Sequence, residues 1–573
     1  MVDTTLTIAG QAGQGVDTAA ELAARALARS GYHVFAYPDV MSRIRGGHNF
    51  TAVRAADRAV LGPPARFNLL LALDRLSVDI HRTDVVPGGT IVADDSHTAS
   101  ERDILALPLA QTALEVGGNK AMTNVVGLGS LFELSGHPLE PLLELLSERF
   151  AGKGDKVVKA NVACARAGAG LARKGFRGQC NCRLPRLESK RRLVLSGNQA
   201  MALGAIAAGV RFHAGYPMSP STPVMELLAE RQAELGLVVE QAEDEIGALN
   251  MVCGAAYAGV RAMTATSGGG FALMTEALGL AGMAELPIVV IVAQRTGPAT
   301  GFPTRNEQGE LLYCISASQD EFPRFVLAPG TAEAAFSAVQ RAFELAWRFH
   351  VPAIVLSDQL VSDSLWTMSD IAARPADPGA DFAEGYWQAR PADTYKRYAD
   401  APDGVSPLLR PGFAGQVVRA CGSEHDEAGF QVEDAPTRKR MQDKRLRKLE
   451  PMRTAVDCGG CFPGQGEDTV IACWGGTYGA VREAVEILQA RRVRVGMLHL
   501  DELEPFPRQS VRSALALARR VITVEANSAG QLARLLAREV LVRPQAELLK
   551  FDGRPFAGAA LADELQSVVE GLR

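Results

Sequence analysis

Three acidic residues stand side by side where a long apolar segment begins. Glu243, Asp244 and Glu245 lead directly into "IGALNMVCGAAYAG". A helix that starts near Asp244 would have its buried face at Ile246, Leu249, Val252, Cys253 and Ala256. Any of the three acids could offset the helix dipole and cap free backbone amides. Glu245 alone borders the predicted buried face, so its carboxylate could instead hold a proton for a bound ligand.

Three further loops could supply polar groups to a ligand. In "GYPMSPST" the prolines hold Ser219 and Ser221 in one conformation, either to present hydroxyls and amides or only to cap a helix. "TATSGGG" ends in glycines that allow close approach of a ligand or of another backbone. Arg295 follows the apolar run "PIVVIVAQ", and it could grip a carboxylate bidentately or pair with a neighbouring acid.

These loops follow short apolar strands that alternate with helix-patterned segments. "MTATS", "PIVVIVAQ" and "PAIVLSD" are such strands, which predicts a parallel α/β sheet with functional groups at the carboxyl ends of the strands. "TLTIAGQAGQGV" opens an earlier βαβ unit, whose GxxGxG glycines favour tight strand-to-helix packing over a nucleotide site. Asp39, in the turn-like "YPDVMS", is not placed to hold a ribose. A third α/β unit begins at "TVIACWGG".

Composition predicts a multi-domain protein of the cytoplasm. The 573 residues are 47% hydrophobic and 22% charged, with a net charge of -5 from well-mixed charges, which favours neither nucleic-acid nor membrane binding. No apolar run reaches the roughly 20 residues of a membrane span, and the first residues lack a signal pattern. We expect domains at 1–185, 193–371 and 452–573. A Pro-, Gly- and charge-rich connection at 372–451 would close with an exposed helix.

The nine cysteines are scattered in a way that favours reduced thiols. Two close pairs, Cys180 with Cys182 and Cys458 with Cys461, lack the further ligands that a metal or cluster site would need. We assign neither pair a role.

Nine segments in this order resemble the α subunit of 2-oxoacid:ferredoxin oxidoreductases, in the form with a γ domain fused ahead of it, as in 2-oxoglutarate synthases. The resemblance covers nearly the whole chain. It implies an α/β fold of several parallel-sheet domains: a γ domain (1–185), a thiamine-diphosphate pyrimidine-binding domain (193–371), a linker (372–451) and a transketolase-C-like domain (452–573). The segments are "GQAGQGV", "RIRGGHN", "AGYPMSPST", "EQAEDEIGALNMVCGAAYAG", "TATSGGG", "QRTGPATG", "GSEHDEAGFQVED", "WGGTYGAVREAVE" and "VEANSAGQL".

The resemblance implies that this chain is an enzyme subunit that supplies half of a shared active site. It implies thiamine-diphosphate-dependent, reversible conversion of a 2-oxoacid and coenzyme A to acyl-CoA and CO2, with electrons passed to ferredoxin. A β subunit would bring the diphosphate-and-Mg2+ site and a [4Fe-4S] cluster in a dimer of αβ heterodimers. This sequence has neither a GDG motif nor cluster cysteines, so no metal is expected in this chain.

The fused γ-α order and "GSEHDEAGF" favour 2-oxoglutarate, giving succinyl-CoA. The alternatives are the same reaction on pyruvate or on a branched-chain or aryl 2-oxoacid, and a non-catalytic scaffold for a redox partner. Because Glu245, Ser219 and Arg295 are all present, we favour the enzyme over the scaffold.

Site residues follow from the family's motifs position by position. Glu245 matches the glutamate that hydrogen-bonds N1′ of the aminopyrimidine. Ser219, in place of the family's usual threonine, would bind the substrate's carboxylate or ketone oxygen, with Pro220 and Gly268 beside the cofactor. Arg295 would grip the carboxylate of the 2-oxoacid, with Thr300 nearby.

The segment "RIRGGHN" carries the remaining candidates. Arg43, Arg45 and His48 could hold a distal carboxylate or the phosphates of coenzyme A, or they could only support a domain interface.

Overall fold

The computed structural model describes residues 2–43, 46–98, 103–187, 190–369, 383–390, 392–462 and 468–572. Helices and strands alternate along most of this length, which is the order expected of an α/β protein. None of the described helices is long and apolar enough to cross a membrane.

The elements of the amino-terminal part, in chain order, are β1 (Asp3–Ala12), α1 (Val16–Arg29), β2 (His33–Asp39), β3 (Gly46–Ala56), β4 (Phe67–Ala72), α2 (Arg75–His81), β5 (Val85–Asp94), α3 (Asp95–Thr98), β6 (Ile104–Leu107), α4 (Leu109–Gly117), α5 (Thr123–Ser135), α6 (Glu140–Phe150) and α7 (Asp155–Gly175).

The middle of the chain forms β7 (Leu193–Ser196), α8 (Gly197–Ala207), β8 (Phe212–Gly215), α9 (Thr222–Leu235), β9 (Val238–Gln241), α10 (Glu245–Tyr257), β10 (Ala262–Thr266), α11 (Gly268–Met283), β11 (Ile288–Gln294), α12 (Leu311–Ser316), β12 (Phe325–Leu327), α13 (Ala332–Phe349), β13 (Ala353–Asp358), α14 (Gln359–Asp363), β14 (Leu365–Met368) and α15 (Glu384–Ala389).

The remaining elements are α16 (Ala435–Arg447), α17 (Leu449–Ala455), β15 (Gly460–Phe462), β16 (Thr469–Trp474), α18 (Tyr478–Ala490), β17 (Val495–Leu500), β18 (Glu502–Glu504), α19 (Arg508–Leu515), β19 (Arg520–Glu525), α20 (Gln531–Val540), β20 (Ala546–Leu549) and α21 (Gly558–Gly571).

Three sheets organise these elements. The first is mixed, with the order β6-β5-β4-β1-β3-β2-β14-β7, so two strands from the middle of the chain extend the amino-terminal sheet. The third has the order β15-β17-β16-β19-β20, and all its pairs are parallel except β15 with β17. The α/β fold class with largely parallel sheets is thus confirmed, and the antiparallel pairs of the first sheet are an addition to it.

The central sheet positions the candidate site. Its order is β18-β12-β13-β11-β10-β8-β9, and every pair except β12 with β18 is parallel. All seven residues of β11 are buried because helices cover both faces of the sheet, which is why this strand is a continuous apolar run. Gly215, Thr266 and Gln294 end three neighbouring strands, so the loops after them meet at one edge.

The segment before the third sheet differs from its prediction. An exposed helix was expected at its end and α16 is there, but its carboxyl-terminal part is buried: Lys444, Arg445 and the following Lys448 are each at most 2% exposed. The two lysines pair with the carboxylate of Glu285, just beyond α11, through Nζ–Oε distances of 2.7 Å and 2.5 Å. Arg397 donates to the carbonyl oxygen of the same glutamate at 2.7 Å. This cluster fastens the segment to the central sheet.

The cysteine prediction was wrong at one pair. Cys180 and Cys182 are joined by a disulfide, whereas Cys458 is a free, buried thiol. The side chain of Cys461 lies outside the described residues. The scatter of cysteines along the sequence gave no signal for a bridge between residues two apart.

Candidate functional site

Glu245 is the first residue of α10 and lies at the site edge of the central sheet. The preceding Asp244 caps the helix, since its Oδ1 accepts a hydrogen bond from the Gly247 amide at 2.7 Å. Glu245 is only 4% exposed, and its Oε1 has no hydrogen-bond partner in the part of the chain that the structure describes. A Cβ at position 270 would lie 2.8 Å from that oxygen, so Gly270 makes room for the carboxylate. A buried carboxylate oxygen without a donor is costly, so Oε1 is placed to accept a hydrogen bond from a ligand.

The buried face of α10 was predicted correctly except at its first position. Leu249, Val252, Cys253 and Ala256 are buried, but Ile246 is 48% exposed. Because Asp244 is the N-cap, Glu245 itself occupies the buried phase, and Ile246 lies about 100° further round the helix. An apolar residue type alone did not reveal this rotation.

The loop that contains Ser219 is held by its neighbours rather than by a serine cap. Asn198, on α8, donates from Nδ2 to the Pro220 carbonyl oxygen at 2.9 Å and to Asp363 at 3.1 Å. Ser221 is the N-cap of α9 by position, but its hydroxyl donates to the Met218 carbonyl oxygen instead of accepting from the helix. The Ser219–Pro220 peptide bond is cis. These contacts fix the backbone that presents Ser219.

Arg295 lies one residue beyond β11, as predicted, and it joins two of the candidate loops. Its Nη1 donates to the Ser219 carbonyl oxygen at 2.8 Å, and its Nε has no hydrogen-bond partner within the described ranges. Burial lowers the pKa of this guanidinium from its ordinary value, although it stays charged at neutral pH. A buried, unpaired N–H on a cation suits an anionic ligand.

An open cavity of about 600 Å3 begins at Arg295. Gly268, at the start of α11, lines it together with Arg295, so the structure brings these two predicted site residues together. Tyr313 on α12, and Ser528 and Phe551 from the third unit of the chain, complete much of its wall. The volume is that of a typical small-molecule site.

Two acids in the cavity, Glu307 and Glu310, were not predicted. Burial raises the pKa of Glu310 to about 8, and the charge of Glu307 adds to the rise while Arg295 opposes it. Burial also raises the pKa of Glu307, against a hydrogen bond from the Gly297 amide. Both residues lie in "NEQGE", on the same loop as Arg295. That position was the available signal, since a loop at the carboxyl end of a buried strand is a favoured place for functional groups.

Thr300, Arg43 and His48 are not among the residues that line this cavity. Thr300 is exposed and does not belong to the described lining. His48 pairs with His81 instead, through an Nε2–Nε2 distance of 2.8 Å, and His81 contacts Asp84 at 2.8 Å. Arg43 is exposed, and Arg45 lies outside the described residues.

Asp39 connects all three parts of the chain near this edge. It is the last residue of β2 rather than part of a turn, and it is 2% exposed. Its carboxylate forms an ion pair with Arg305, on the loop after β11, and a second one with Arg554 at 2.8 Å. On the same loop, the Thr304 hydroxyl donates to the Val40 carbonyl oxygen at 2.6 Å. The amino-terminal sheet therefore holds the loop that carries Arg295.

Comparison with known proteins gives the family. Residues 203–444 match the model of the thiamine-diphosphate-binding domain of pyruvate flavodoxin/ferredoxin oxidoreductases. Residues 5–171 match that of pyruvate ferredoxin/flavodoxin oxidoreductase, and residues 467–551 match core domain II of pyruvate:ferredoxin oxidoreductase. The chain is 32% identical to subunit alpha of 2-oxoacid:ferredoxin oxidoreductase 2 from Aeropyrum pernix, over 100% of this chain and 98% of that one.

The chain belongs to the 2-oxoacid:ferredoxin oxidoreductase α-subunit family. It is therefore an oxidoreductase subunit with a thiamine-diphosphate-binding domain, and an α subunit implies a partner subunit. The resemblance inferred from the nine sequence segments is confirmed.

Two further relatives of this α subunit have names that specify a substrate. The 2-oxoglutarate oxidoreductase subunit KorA of Mycobacterium tuberculosis is 28% identical over 97% of this chain and 89% of its own length. A solved structure of 2-oxoglutarate:ferredoxin oxidoreductase from Magnetococcus marinus, with 2-oxoglutarate, coenzyme A and succinyl-CoA bound, matches 99% of both chains. That match has a TM-score of 0.91 and 30% identity.

Proposed function

We propose that this α subunit, together with a β subunit, converts 2-oxoglutarate and coenzyme A to succinyl-CoA and CO2 and passes two electrons to ferredoxin. The observation that carries the substrate is the likeness, over 99% of both chains, to the 2-oxoglutarate enzyme of Magnetococcus marinus. Several relatives are named only for 2-oxoacids in general, so other 2-oxoacids are the competing substrates.

The residues of the site fit thiamine diphosphate. Glu245 offers a buried carboxylate oxygen without a partner among the described residues, beside Gly270, where a Cβ would collide with it. This is the kind of acid that an aminopyrimidine ring needs at N1′. When bound, the cofactor supplies the nucleophilic carbon and the electron sink that decarboxylation of a 2-oxoacid requires.

Each residue then has a separate role. Glu245 holds a proton at N1′. General acid–base catalysis of this kind contributes about 100- to 10,000-fold in rate. Arg295 binds the carboxylate of the 2-oxoacid and orients it, with Ser219 beside it on the loop that Arg295 anchors. Pro220 and Gly268 bring backbone close to the cofactor. Thr300 and His48, which do not line the described cavity, would contact the substrate from outside its wall, and Arg45 is kept as a further proposed substrate contact.

The chain would supply one half of the site. The partner β subunit would hold the diphosphate with Mg2+ and a [4Fe-4S] cluster, in a dimer of αβ heterodimers. Within the described residues, no group of three or more His, Cys, Asp or Glu side chains could hold a metal ion. We retain the division into 1–185, 193–371, 372–451 and 452–573; the matched ranges 5–171 and 467–551 fall within its first and last units, and 203–444 spans the second unit and most of the linker.

The test is a substrate panel on the co-purified αβ complex. Viologen reduction would be followed with coenzyme A and 2-oxoglutarate, pyruvate, a branched-chain and an aryl 2-oxoacid. We expect the highest kcat/KM with 2-oxoglutarate, and no oxidation of any 2-oxoacid by the isolated α subunit. A clear preference for another 2-oxoacid would replace the proposed substrate, and turnover by the isolated chain would refute the shared site.

A further inference from the structure

The cavity beside Arg295 carries more acid than an anion-binding site should tolerate. Arg295 is the cation of its described lining, whereas Glu307 and Glu310 are two carboxyl groups on the same wall. If both acids were ionised, the three side chains together would carry a net charge of about -1 at a place proposed for a carboxylate. A 2-oxoacid would then meet repulsion in a partly desolvated site.

Glu310 is built into this wall rather than being a freely moving surface residue. Its backbone N–H donates to Gln294 Oε1 at 2.9 Å, which fixes the residue next to the end of β11. Its carboxyl group lies directly on Gly268, where any Cβ would collide with Oε1, Cδ and Cγ. Its Oε2 is shielded from solvent and has no hydrogen-bond partner in the described chain. An ionised carboxylate in that position lacks the donors that it would need.

We propose that Glu310 is a positioning residue for the substrate carboxylate. The Glu310 side chain stays protonated while the 2-oxoacid is bound, and this leaves the positive charge of Arg295 available to the substrate carboxylate. When Glu310 ionises, it competes for Arg295 and repels the incoming anion. The inference rests on the proposed function, because it takes a 2-oxoacid carboxylate as the ligand of Arg295.

Within the described part of the chain, Glu307 and Arg295 are the charged groups of the cavity wall that act on Glu310. Glu307 raises its pKa and Arg295 lowers it, while burial is the largest cause of the rise. On α12 itself, Tyr313 lines the cavity and burial raises its pKa, while burial and then Glu310 raise the pKa of the Cys314 thiol well above its ordinary value. Both therefore stay neutral near pH 8. Among the described residues of this wall, the raised pKa of about 8 puts the change in charge of Glu310 between pH 7 and 9.

The first test is the pH dependence of KM in the αβ complex. With a pKa of about 8 for Glu310, KM for the 2-oxoacid should be flat below pH 7 and about tenfold higher at pH 9, with kcat changing little. In Glu310→Gln the side chain is neutral at every pH, so KM should stay flat to pH 9. In Glu307→Gln the rise should remain but start at lower pH, because one neighbouring negative charge is gone. A rise that persists unchanged in Glu310→Gln would overturn the proposal.

A second readout does not depend on turnover. Glutarate, which has carboxylates but no ketone to react, would be titrated calorimetrically into the complex at pH 8.5 in buffers of different ionisation enthalpy. Binding should take up about half a proton or more in the wild type and none in Glu310→Gln. Equal uptake in both, or no binding even at pH 6.5, would refute the role of Glu310. Proton-linked binding by a complex that is inactive on every 2-oxoacid would refute the proposed function alone.

Discussion

Two buried glutamates beside the central sheet differ in whether the chain supplies partners for their carboxylates. Glu285 is 1% exposed and contacts two lysines, Lys444 and Lys448, through Nζ–Oε distances of 2.7 Å and 2.5 Å. Glu245 is 4% exposed, yet its Oε1 has no partner in the described part of the chain. Removing a charge from water costs several kcal/mol in either place, but only at Glu285 does the chain itself offset that cost. A paired buried charge indicates a structural role, and an unpaired one indicates a ligand.

The two glutamates lie near opposite ends of α11, which makes the difference spatial. The beginning of α11 has Gly268 and Gly270 beside the carboxyl groups of Glu310 and Glu245, and it opens onto the cavity. Its end is followed by Glu285 and the buried cations of the segment that includes α16. Fixing one end of the helix with charge pairs allows the other end to remain open and still be held in place.

Glu245→Gln should give the largest effect on activity. The amide keeps the size of the side chain but cannot hold the proton, so kcat of the αβ complex should fall by about 100- to 10,000-fold. Hydrogen exchange at C2 of bound thiamine, measured by NMR, should slow with it, while the unfolding temperature should not decrease because no internal contact of Oε1 is lost. Exchange at the wild-type rate would contradict the role of Glu245.

Glu285→Gln should reduce stability and leave the activity unchanged, the reverse of Glu245→Gln. It leaves Lys444 and Lys448 buried without their counter-charge, so the complex should lose about 3–5 kcal/mol of stability in denaturant unfolding while kcat of the folded enzyme is unchanged. The matched control is Glu285→Leu with Lys444→Met and Lys448→Met, which removes both lysine pairs, leaves Arg397 bonded to the backbone carbonyl oxygen at position 285, and should recover most of the loss. If the triple variant is as unstable as Glu285→Gln, the pairing is not what stabilises this end of α11.

The same cluster predicts a pH dependence of stability. Burial raises the pKa of Glu285, but Lys448 and Lys444 outweigh it and hold the pKa well below the ordinary value of 4.5. A lowered carboxyl pKa contributes stability above that ordinary value and loses it as the pH falls further. Denaturant midpoints of the wild type should therefore fall below pH 4.5, with a shallower fall in the triple variant. Equal slopes would show that Glu285 does not titrate as inferred.

Arg295→Lys should have an intermediate effect, on substrate binding. Lysine keeps the positive charge but loses the planar fork and the Nη1 bond to the Ser219 carbonyl oxygen. A loss of about 1.5–3 kcal/mol, which is roughly 10- to 150-fold, should appear in KM for the 2-oxoacid, with the KM for coenzyme A unchanged. A rise in both KM values would mean that the loop has moved rather than that one contact is lost.

The sequence predicted the parts of the site that depend on local order along the chain. Arg295 follows a continuous apolar strand, and the start of α10 follows from one capping acid, so both were placed correctly. Ile246 was misplaced because α10 is apolar on nearly every side, which leaves the helical phase poorly defined. The periodicity of a helix locates its buried face only where polar residues mark the opposite face.

What the sequence could not show depends on contacts between distant residues. Lys444 lies 159 residues from Glu285, so the sequence predicted only an exposed helix at this position. Glu310 acquires its raised pKa only in the folded chain, where burial and the charge of Glu307 outweigh the opposing charge of Arg295. The addition of strands β7 and β14 to the amino-terminal sheet could not be predicted for the same reason, since pairing partners far apart in the chain leave no local pattern.

Asp244→Ala gives the smallest effect and tests the comparison most finely, because Asp244 and Glu245 are adjacent acids at one helix start. Asp244 is exposed and contributes through the capping hydrogen bond that it accepts from the Gly247 amide, so the loss of this bond should cost about 1 kcal/mol of stability. Asp244→Asn, which can also cap, should cost less. Activity should fall only a few-fold, since the carboxylate of Glu245 is untouched. If Asp244→Ala reduced kcat as severely as Glu245→Gln, burial would not be what distinguishes the catalytic acid from the capping one.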